Sequence, residues 1–196
     1  MITLRTHGVT LKGCTPRGVR VRLRPMTEDD WGLLYRWNSD PEVLYYSEGD
    51  DVASYTPEQV RDIYCSVCQN ALCSIIEADG VPVGDCWLQE MNLERVLIRY
   101  PDLDCRRIDL LIGEKQYWGQ GVGTEVIRLL TDYAFLEQGV DLIYEPGIAD
   151  YNVRSRKAFQ RVGYQVVKIG EASGEKAVHE YDLILTRKMF LEQRAT

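Results

Sequence analysis

Residues 112–124 are Ile112-Gly113-Glu114-Lys115-Gln116-Tyr117-Trp118-Gly119-Gln120-Gly121-Val122-Gly123-Thr124. The apolar run before this segment predicts a buried strand, and residues 125–137 after it predict a helix. Amide groups at the start of a helix have no partners within it, and the helix dipole favours an anion there. Alternating glycines let a bulky pyrophosphate approach the main chain without Cβ clashes. The segment therefore predicts a phosphate-binding loop.

Two common phosphate-binding motifs do not fit this segment. A mononucleotide P-loop requires Gly-x-x-x-x-Gly-Lys-Ser/Thr, and no lysine follows these glycines. A dinucleotide-binding fold requires Gly-x-Gly-x-x-Gly near the start of a repeated βαβ array, whereas the spacing here is Gly-x-Gly-x-Gly, late in the chain. The alternative to a ligand site is a tight turn at a helix start, and it stays open at this point.

Size and composition indicate one globular domain. The chain has 196 residues, of which 45% are hydrophobic and 27% are charged. No apolar run is long enough to cross a membrane, and the N-terminus lacks the apolar core of a signal peptide. We therefore expect a cytoplasmic protein.

The balance of charge bears on the kind of partner. The net charge is −7, which disfavours nucleic acid and anionic membranes and favours a cationic partner or substrate. A modest negative charge would also serve solubility alone.

Cysteines and histidines restrict the chemistry that the chain can perform. Cys65-x-x-Cys68 resembles half of a zinc site, but no second pair or histidine lies at ligand spacing. We therefore expect free thiols and no metal. Neither of the two histidines, His7 and His179, lies in a recognisable nucleophile motif. If the chain has an active-site base, a carboxylate or water is expected.

Apolar periodicity, caps and turn signals predict a mixed α/β domain with one central sheet and about four helices. The predicted order is one strand, two helices and two strands, followed by strand, helix, strand, helix and two final strands. Residues 1–18 are expected to be an N-terminal extension with a short strand at 2–4. Residues 19–190 are expected to form the domain, and residues 191–196 a C-terminal tail. Residues 45–55 are predicted to be a polar, aromatic and acidic loop.

Two segments resemble the GNAT N-acetyltransferase superfamily. The run Gly119–Gly123 is similar to the loop that holds the coenzyme A pyrophosphate in that superfamily. The run Asn152–Tyr164 is similar to its segment in which an asparagine precedes a short helix ending in Gly-Phe or Gly-Tyr. Within the superfamily, Asp109–Thr124 is most similar to aminoglycoside 6′-N-acetyltransferases. The resemblance covers the predicted domain and implies a mixed sheet splayed between the strands ending near Ile112 and Glu145.

The resemblance implies that acetyl-CoA is the co-substrate. Strand backbone would pair with the pantetheine arm, loop amides would hold the pyrophosphate, and Asn152 would bond the arm from the other side. Asn152 can also cap the helix that follows it, and both roles can hold at once. Trp118 stands where the superfamily usually has arginine or glutamine, so one side-chain contact to phosphate is missing. The implied donor-binding residues are Leu111, Ile112, Trp118, Gly119, Gln120, Gly121, Val122, Gly123, Thr124 and Asn152.

Asp109 is the predicted catalytic residue. It interrupts a nearly all-apolar strand, where a carboxylate is costly unless it is used or paired. By resemblance it occupies the position of the acidic residue near the acceptor amine, where it would orient the amine and take its proton directly or through water. The alternative is a salt bridge to Arg106 or Arg107. Phe159 stands where a tyrosine often protonates the departing thiolate, which leaves water, another tyrosine or no dedicated acid.

The acceptor side is expected to be acidic and aromatic. Carboxylates suit ammonium groups, and aromatic faces suit sugar rings and cations. The predicted substrate-binding residues are Tyr45, Tyr46, Glu48, Asp50, Asp51, Glu145 and Asp150. The alternative for some of these residues is a solvated surface loop.

These features predict an acetyl-CoA-dependent N-acetyltransferase that works by direct attack in a ternary complex. The expected acceptor is a cationic small molecule, an aminoglycoside 6′-amine, which would make the chain a resistance enzyme. One alternative of the same fold acetylates ribosomal-protein or other protein N-termini, or small amines. An alternative of another class is a non-catalytic acyl-CoA-binding sensor. The expected assembly is a monomer or a homodimer.

Overall fold

A computed structural model of the chain describes residues 3–48, 52–172 and 176–195. Within these ranges the chain forms one eight-stranded sheet flanked by seven α-helices. The strands are β1 (Leu11–Cys14), β2 (Arg20–Pro25), β3 (Ala71–Ala78), β4 (Val81–Glu90), β5 (Cys105–Ile112), β6 (Leu142–Ala149), β7 (Gln165–Glu171) and β8 (His179–Thr186). The helices are α1 (Trp31–Trp37), α2 (Pro41–Ser47), α3 (Pro57–Val67), α4 (Glu94–Arg99), α5 (Val122–Asp132), α6 (Val153–Val162) and α7 (Arg187–Arg194).

The sheet opens between β5 and β6, as the sequence predicted. The strand order is β1-β2-β3-β4-β5-β6-β8-β7, and every neighbouring pair is antiparallel except β5 and β6. These two parallel strands pair only at Cys105↔Leu142 and Arg106↔Ile143. Beyond that point the strands diverge, which leaves a gap in the sheet in front of the N-termini of α5 and α6.

Both faces of the sheet are covered by helices, so its strands carry apolar side chains on both sides. On β3, Ile75 packs with Leu34 and Trp37 of α1, whereas the adjacent Ile76 packs with Val126 of α5. All of these side chains are fully buried or nearly so. This three-layer packing fixes α5 against the sheet. Within the described residues, no helix is long and apolar enough to cross a membrane.

The structure has more helices than the sequence predicted. Helix α2 was not predicted. Its last three residues belong to the segment 45–55, which was predicted to be a loop. The signal for this helix was present, because the Asp40 carboxylate caps the amides of Glu42 and Val43 and proline occupies the first helical position. Helix α4 has no side-chain cap, and its Val96 is held by packing instead. A local sequence pattern does not predict such a helix, because the residues that hold it are distant in the sequence.

Both ends of the chain also contribute elements. The N-terminal strand is β1, which pairs with β2. The strand expected at residues 2–4 is not found: Leu4 lies outside any strand, and Ile2 lies outside the described residues. Helix α7 continues to Arg194, into the segment predicted to be a tail. The side chain of Thr186 caps α7, and the Phe190 ring lies 5.0 Å from that of Phe135 in the core.

Candidate active site

A cleft of about 700 Å³ lies where β5 and β6 diverge. Its walls come from β5, β6, α2, α6 and the loop that precedes α5. Most of the residues predicted for donor and acceptor line it, although they come from four separate parts of the chain. They are Tyr46, Glu48, Asp109, Leu111, Ile112, Trp118, Gly119, Gly121, Val122, Gly123, Thr124, Glu145 and Asn152.

Other predicted site residues lie elsewhere. Tyr45 stacks behind the cleft on the ring of Tyr151, which does line it. The side chain of Gln120 folds back onto the carbonyl of Gln116. The carboxylate of Asp150 accepts bonds from the amides of Val178 and His179, at the start of β8. Asp50 and Asp51 lie outside the described residues.

The glycine loop, residues 118–124, presents free amides to the cleft. Gly119 and Gly121 have positive φ angles of 73° and 88°, which only glycine adopts without strain. Among the described residues, none accepts a hydrogen bond from the amides of Gly121, Val122, Gly123 or Thr124. These groups face the cleft at the N-terminus of α5, so the loop fits an anionic phosphate.

Trp118 joins the glycine loop to the end of β5. Its indole Nε1 donates a hydrogen bond of 2.7 Å to the carbonyl of Ile112. The guanidinium of Arg154 lies over its ring at 4.1 Å, and the Tyr46 ring meets it edge-on at 5.6 Å. The tryptophan that replaces the usual arginine or glutamine thus packs against a cation supplied by α6.

Asn152 makes two bonds at the start of α6. Its Oδ1 accepts a 3.1 Å bond from the amide of Ser155, so the predicted helix cap is present. Its Nδ2 donates a 2.7 Å bond to the carbonyl of Tyr46 in α2. In this structure the asparagine therefore ties α6 to α2 across the mouth of the cleft.

Asp109 is held by two donors. Trp87 lies directly opposite it on β4, and the indole Nε1 donates a 2.9 Å bond to Oδ2. Arg107 pairs with Oδ1 at 2.9 Å, which is one of the two salt bridges considered from the sequence. These partners orient the carboxylate at the wall of the cleft.

Asp85 and Glu145 are buried carboxyl groups that face the cleft with one oxygen each unsatisfied. Asp85 Oδ1 accepts a 3.0 Å bond from the Tyr64 hydroxyl, but Oδ2 has no partner among the described residues. Burial raises the pKa of Asp85 to about 7. Burial, reinforced by the charge of Asp109, raises the pKa of Glu145 well above its ordinary value, and its Oε2 is likewise unsatisfied. Unsatisfied buried carboxyl oxygens are costly, and a bound cation or donor would relieve that cost.

The acceptor side has a third perturbed carboxylate at the end of α2. Glu48 accepts a hydrogen bond from Tyr55, and desolvation raises the pKa of its carboxyl group. The cleft thus carries five carboxyl groups, from Glu48, Asp85, Asp109, Glu145 and Glu180, beside the basic side chains of Arg107, Arg154, Lys157 and Arg161.

Sequence reasoning missed several residues of this cleft. The argument that singled out Asp109, a carboxylate in an apolar strand, applies equally to Asp85 in β4 and would have found it. Trp87 and Arg154 carry no local signal, because their roles depend on which strand or helix lies beside them.

Among the described residues, no three side chains of the metal-binding types are placed to hold a metal ion.

The comparison with known families identifies the fold. The family model described as "Acetyltransferase (GNAT) domain" matches residues 20–165, which include β5, the glycine loop and α6. The chain is a GNAT acetyltransferase. The resemblance seen in the sequence predicted membership of this family, a splayed sheet and a glycine loop at the start of a helix, and the structure has both features.

Known proteins similar to this GNAT acetyltransferase include enzymes with quite different acceptors. The Alpha/beta-tubulin-N-acetyltransferase 9 of Mus musculus is 25% identical over 185 residues, covering 90% of this chain and 74% of the mouse protein. The Aminoglycoside N(6')-acetyltransferase type 1 of Klebsiella pneumoniae is 25% identical over 159 residues, covering 74% of each chain. The structure of AAC(6')-Ib with ribostamycin and coenzyme A superposes with a TM-score of 0.70 at 22% identity, covering 89% of this chain and 97% of that one.

Proposed function

We propose that this GNAT acetyltransferase transfers the acetyl group of acetyl-CoA to an amine of a polycationic small molecule, with an aminoglycoside 6′-amine as the preferred acceptor. One observation carries the proposal: the cleft has five carboxyl groups, two of them buried with an unsatisfied oxygen. A ligand with several ammonium groups would satisfy them, whereas a neutral or anionic ligand would leave them unpaired.

The donor assignment rests on the glycine loop. The unbonded amides of residues 121–124 and the positive φ angles at Gly119 and Gly121 suit a pyrophosphate lying against the main chain. The open edges of β5 and β6 beyond their short paired segment would accept the pantetheine arm. Acetyl-CoA supplies an activated thioester when it is bound.

In this proposal, the protein removes a proton from the acceptor amine and orients that amine for attack. An ammonium group is not nucleophilic, so a carboxylate must take its proton before the amine attacks the thioester carbon. Asp109 would orient the amine, because Trp87 and Arg107 hold its carboxylate in place. Asp85, with its pKa raised to about 7, would be a second proton acceptor near neutral pH. A backbone N–H near Leu111 or Ile112 would stabilise the developing oxyanion.

Direct attack in a ternary complex is favoured over a covalent acetyl-enzyme. No cysteine or histidine of the described residues lines the cleft, so the usual thiol nucleophile and its base are both lacking there. The attacking amine would form the C–N bond in a tetrahedral oxyanion, whose collapse would break the C–S bond. Coenzyme A would leave as a thiolate and take a proton from water.

The experiment is thiol release from acetyl-CoA with kanamycin, tobramycin, a polyamine and a peptide N-terminus as acceptors. We expect turnover with the aminoglycosides at lower concentrations than with the other amines. No turnover on any aminoglycoside would exclude the preferred substrate.

A variant tests the role of Asp109 separately. Asp109→Asn should lower kcat by about 100-fold or more, as expected for a lost proton acceptor, while coenzyme A still binds with its wild-type Kd. Near-normal turnover would remove Asp109 from the mechanism and leave Asp85 as the candidate base.

Acetylation of protein N-termini is the second candidate. It is favoured by the match to the Mus musculus tubulin N-acetyltransferase, which covers 90% of this chain. An extended peptide would meet the same carboxyl groups with only one ammonium group, so it would leave most of them unpaired. Turnover of the peptide with no aminoglycoside turnover would favour this candidate.

We also infer that residues 19–190 form the catalytic domain, to which the extension 1–18 adds the edge strand β1 and residues 191–194 add the end of α7. The proposed setting is the cytoplasm, and the proposed assembly is a monomer or homodimer that requires no metal.

A further inference from the structure

Helix α2 carries part of the acceptor wall, yet its first turn is attached to the donor side. Lys115 lies just before the glycine loop, and its Nζ is 2.9 Å from both Asp40 Oδ2 and Glu42 Oε2. The N-terminal end of α2 is therefore tied to the segment that leads into the phosphate loop.

The last turn of α2 is attached to the segment that opens α6. The carbonyl of Tyr46 accepts the 2.7 Å bond from Asn152, and the carbonyl of Tyr45 accepts a 3.3 Å bond from the Tyr151 hydroxyl. The rings of Tyr45 and Tyr151 stack with their centroids 4.8 Å apart. Both ends of this seven-residue helix thus depend on elements that line the donor half of the cleft.

Arg154 lies between the acceptor wall and the glycine loop of the cleft. Its guanidinium is 4.0 Å from the centroid of the Tyr46 ring and 4.1 Å from that of the Trp118 ring. Tyr46 belongs to the acceptor wall, and Trp118 opens the glycine loop. A guanidinium held between two aromatic faces joins them in a way that neither a neutral nor an aliphatic side chain can reproduce.

Within the described part of the chain, the charge of Arg154 meets two aromatic rings but no carboxylate. The sequence has 30 acidic and 23 basic residues, so carboxylates are plentiful, yet Arg154 forms no ion pair with any described residue. Its side chain is exposed at the mouth of the cleft, beside the loop whose amides are unbonded. An anionic donor on that loop would supply the missing counter-charge.

We propose that Arg154 is a positioning residue that couples the donor to the acceptor wall. Pairing with the donor phosphates would immobilise its guanidinium, and the guanidinium would then hold Tyr46, and with it α2, against Trp118. The acceptor wall would thus be completed by the donor. This inference rests on the proposed function, because it requires a phosphate-bearing donor at the glycine loop.

The experiment measures amide hydrogen exchange in residues 41–48 with and without coenzyme A, so no acceptor is needed. In the wild type, coenzyme A should slow exchange in this segment about fivefold, which corresponds to about 1 kcal/mol and matches the strength of a cation–π interaction. In Arg154→Ala the slowing should disappear even at coenzyme A concentrations that saturate the variant. Arg154→Lys should recover part of it.

Arg156→Ala is the matched control. Arg156 lies on the same helix and its guanidinium stacks at 4.1 Å on the ring of Tyr181, but it does not line the cleft. This variant loses a cation and a ring interaction of the same kind, so it should keep the wild-type response in residues 41–48.

Three outcomes overturn the inference, and they differ in what else they affect. If Arg154→Ala keeps the full slowing, coupling through Arg154 is wrong while the proposed function stands. If the wild type binds no coenzyme A by calorimetry, the donor assignment fails, and the inference fails with it. A loss of slowing in Arg156→Ala as well would show that the effect is general to α6 and would also overturn it.

Discussion

At the scale of single residues, two buried carboxyl groups in the cleft lower the stability of the folded protein. Asp85 and Glu145 each keep an unsatisfied carboxyl oxygen in a nearly dry wall. Such groups would ordinarily be replaced by amides or apolar side chains, because burial penalises the charged form. Their cost to stability is consistent with the proposed roles of this cleft in binding a cation and in proton transfer.

Asp85→Asn should stabilise the protein at neutral pH. Burial raises the folded-state pKa to about 7, so the unfolded chain loses this proton near pH 4 and the folded chain only near pH 7. The folded state therefore binds more protons in that window, and the free energy of unfolding falls as pH rises through it. Asparagine keeps an acceptor for the Tyr64 hydroxyl and removes this penalty.

Urea unfolding of the wild type and Asp85→Asn at several pH values measures the effect. We expect the variant to be more stable by up to about 4 kcal/mol at about pH 8, and the two proteins to converge at about pH 4. A difference that is independent of pH would show that Asp85 does not titrate as described.

Gly113 is required by packing and not by its backbone angles. A Cβ at this position would overlap the ring of Trp37, whose indole donates a bond to Glu114 at the start of the segment leading to the glycine loop. Gly113→Ala should therefore lower the free energy of unfolding by about 1–3 kcal/mol, as for other overpacked sites.

Gly32→Ala is the control for this substitution. Gly32 lies in α1 with open space where the methyl group of an alanine would project, and alanine is the better helix former there. Thermal unfolding should show a loss for Gly113→Ala and no loss for Gly32→Ala. Equal behaviour of the two variants would contradict the packing argument.

At the scale of elements, the start of α6 performs two structural tasks through one side chain. Asn152 caps its own helix with Oδ1 and reaches α2 with Nδ2. Asparagine carries its acceptor and its donor on two separate atoms, whereas a serine or threonine hydroxyl would have to reach both partners with one oxygen, and aspartate has no donor. This is why an asparagine, and not the usual serine, threonine or aspartate cap, fits here.

Substitutions can separate the two tasks. Asn152→Ala removes the cap and should cost about 1 kcal/mol of stability by urea unfolding. Asn152→Asp keeps an acceptor for the Ser155 amide but has no donor for the Tyr46 carbonyl, so it should preserve most of the stability while raising the KM for the acceptor. If aspartate behaved as alanine does in unfolding, the cap would not account for the contribution of this residue.

The sequence was most informative about elements that contain their own signals. The glycine loop and the strand before it were predicted because the glycines and the apolar run are local patterns, and the splay was implied by the resemblance that these patterns carry. Helix α2 was missed although Asp40-Pro41 marks its start, since the tyrosines and acids that follow resemble a polar loop. Helix α4 is held by packing on a distant strand, which no local pattern shows.

At the scale of the whole molecule, the site is assembled from contacts between distant segments. Arg154 meets Tyr46 across more than a hundred positions of sequence, and Asp109 meets Trp87 only because β4 and β5 pair in one register. Residue identities indicated a carboxylate-rich acceptor side, but which carboxylates line the cleft follows from the three-dimensional arrangement. Asp85 lies inside it, whereas Asp150 supports β8.

The net charge of the molecule should add to the local attraction for a polycation. The chain carries −7, and its cleft is lined by five carboxyl groups and four basic side chains, so the field favours approach of a polyamine. Raising the salt concentration from about 50 to about 200 mM should raise the KM for an aminoglycoside several-fold, because screening shortens the range of the field. The KM for a monoamine acceptor should change much less, and equal changes for both acceptors would contradict this account.

The most direct test of the central claim compares two aminoglycosides that differ at a single group. Neomycin B carries an amine at its 6′ position, and paromomycin carries a hydroxyl there. Mass spectrometry of the products, with acetyl-CoA as donor, should show one added acetyl group on neomycin B and little or none on paromomycin. Equal acetylation of both compounds, or of neither while a peptide N-terminus is acetylated, would contradict the assignment of a 6′-amine acceptor to this cleft.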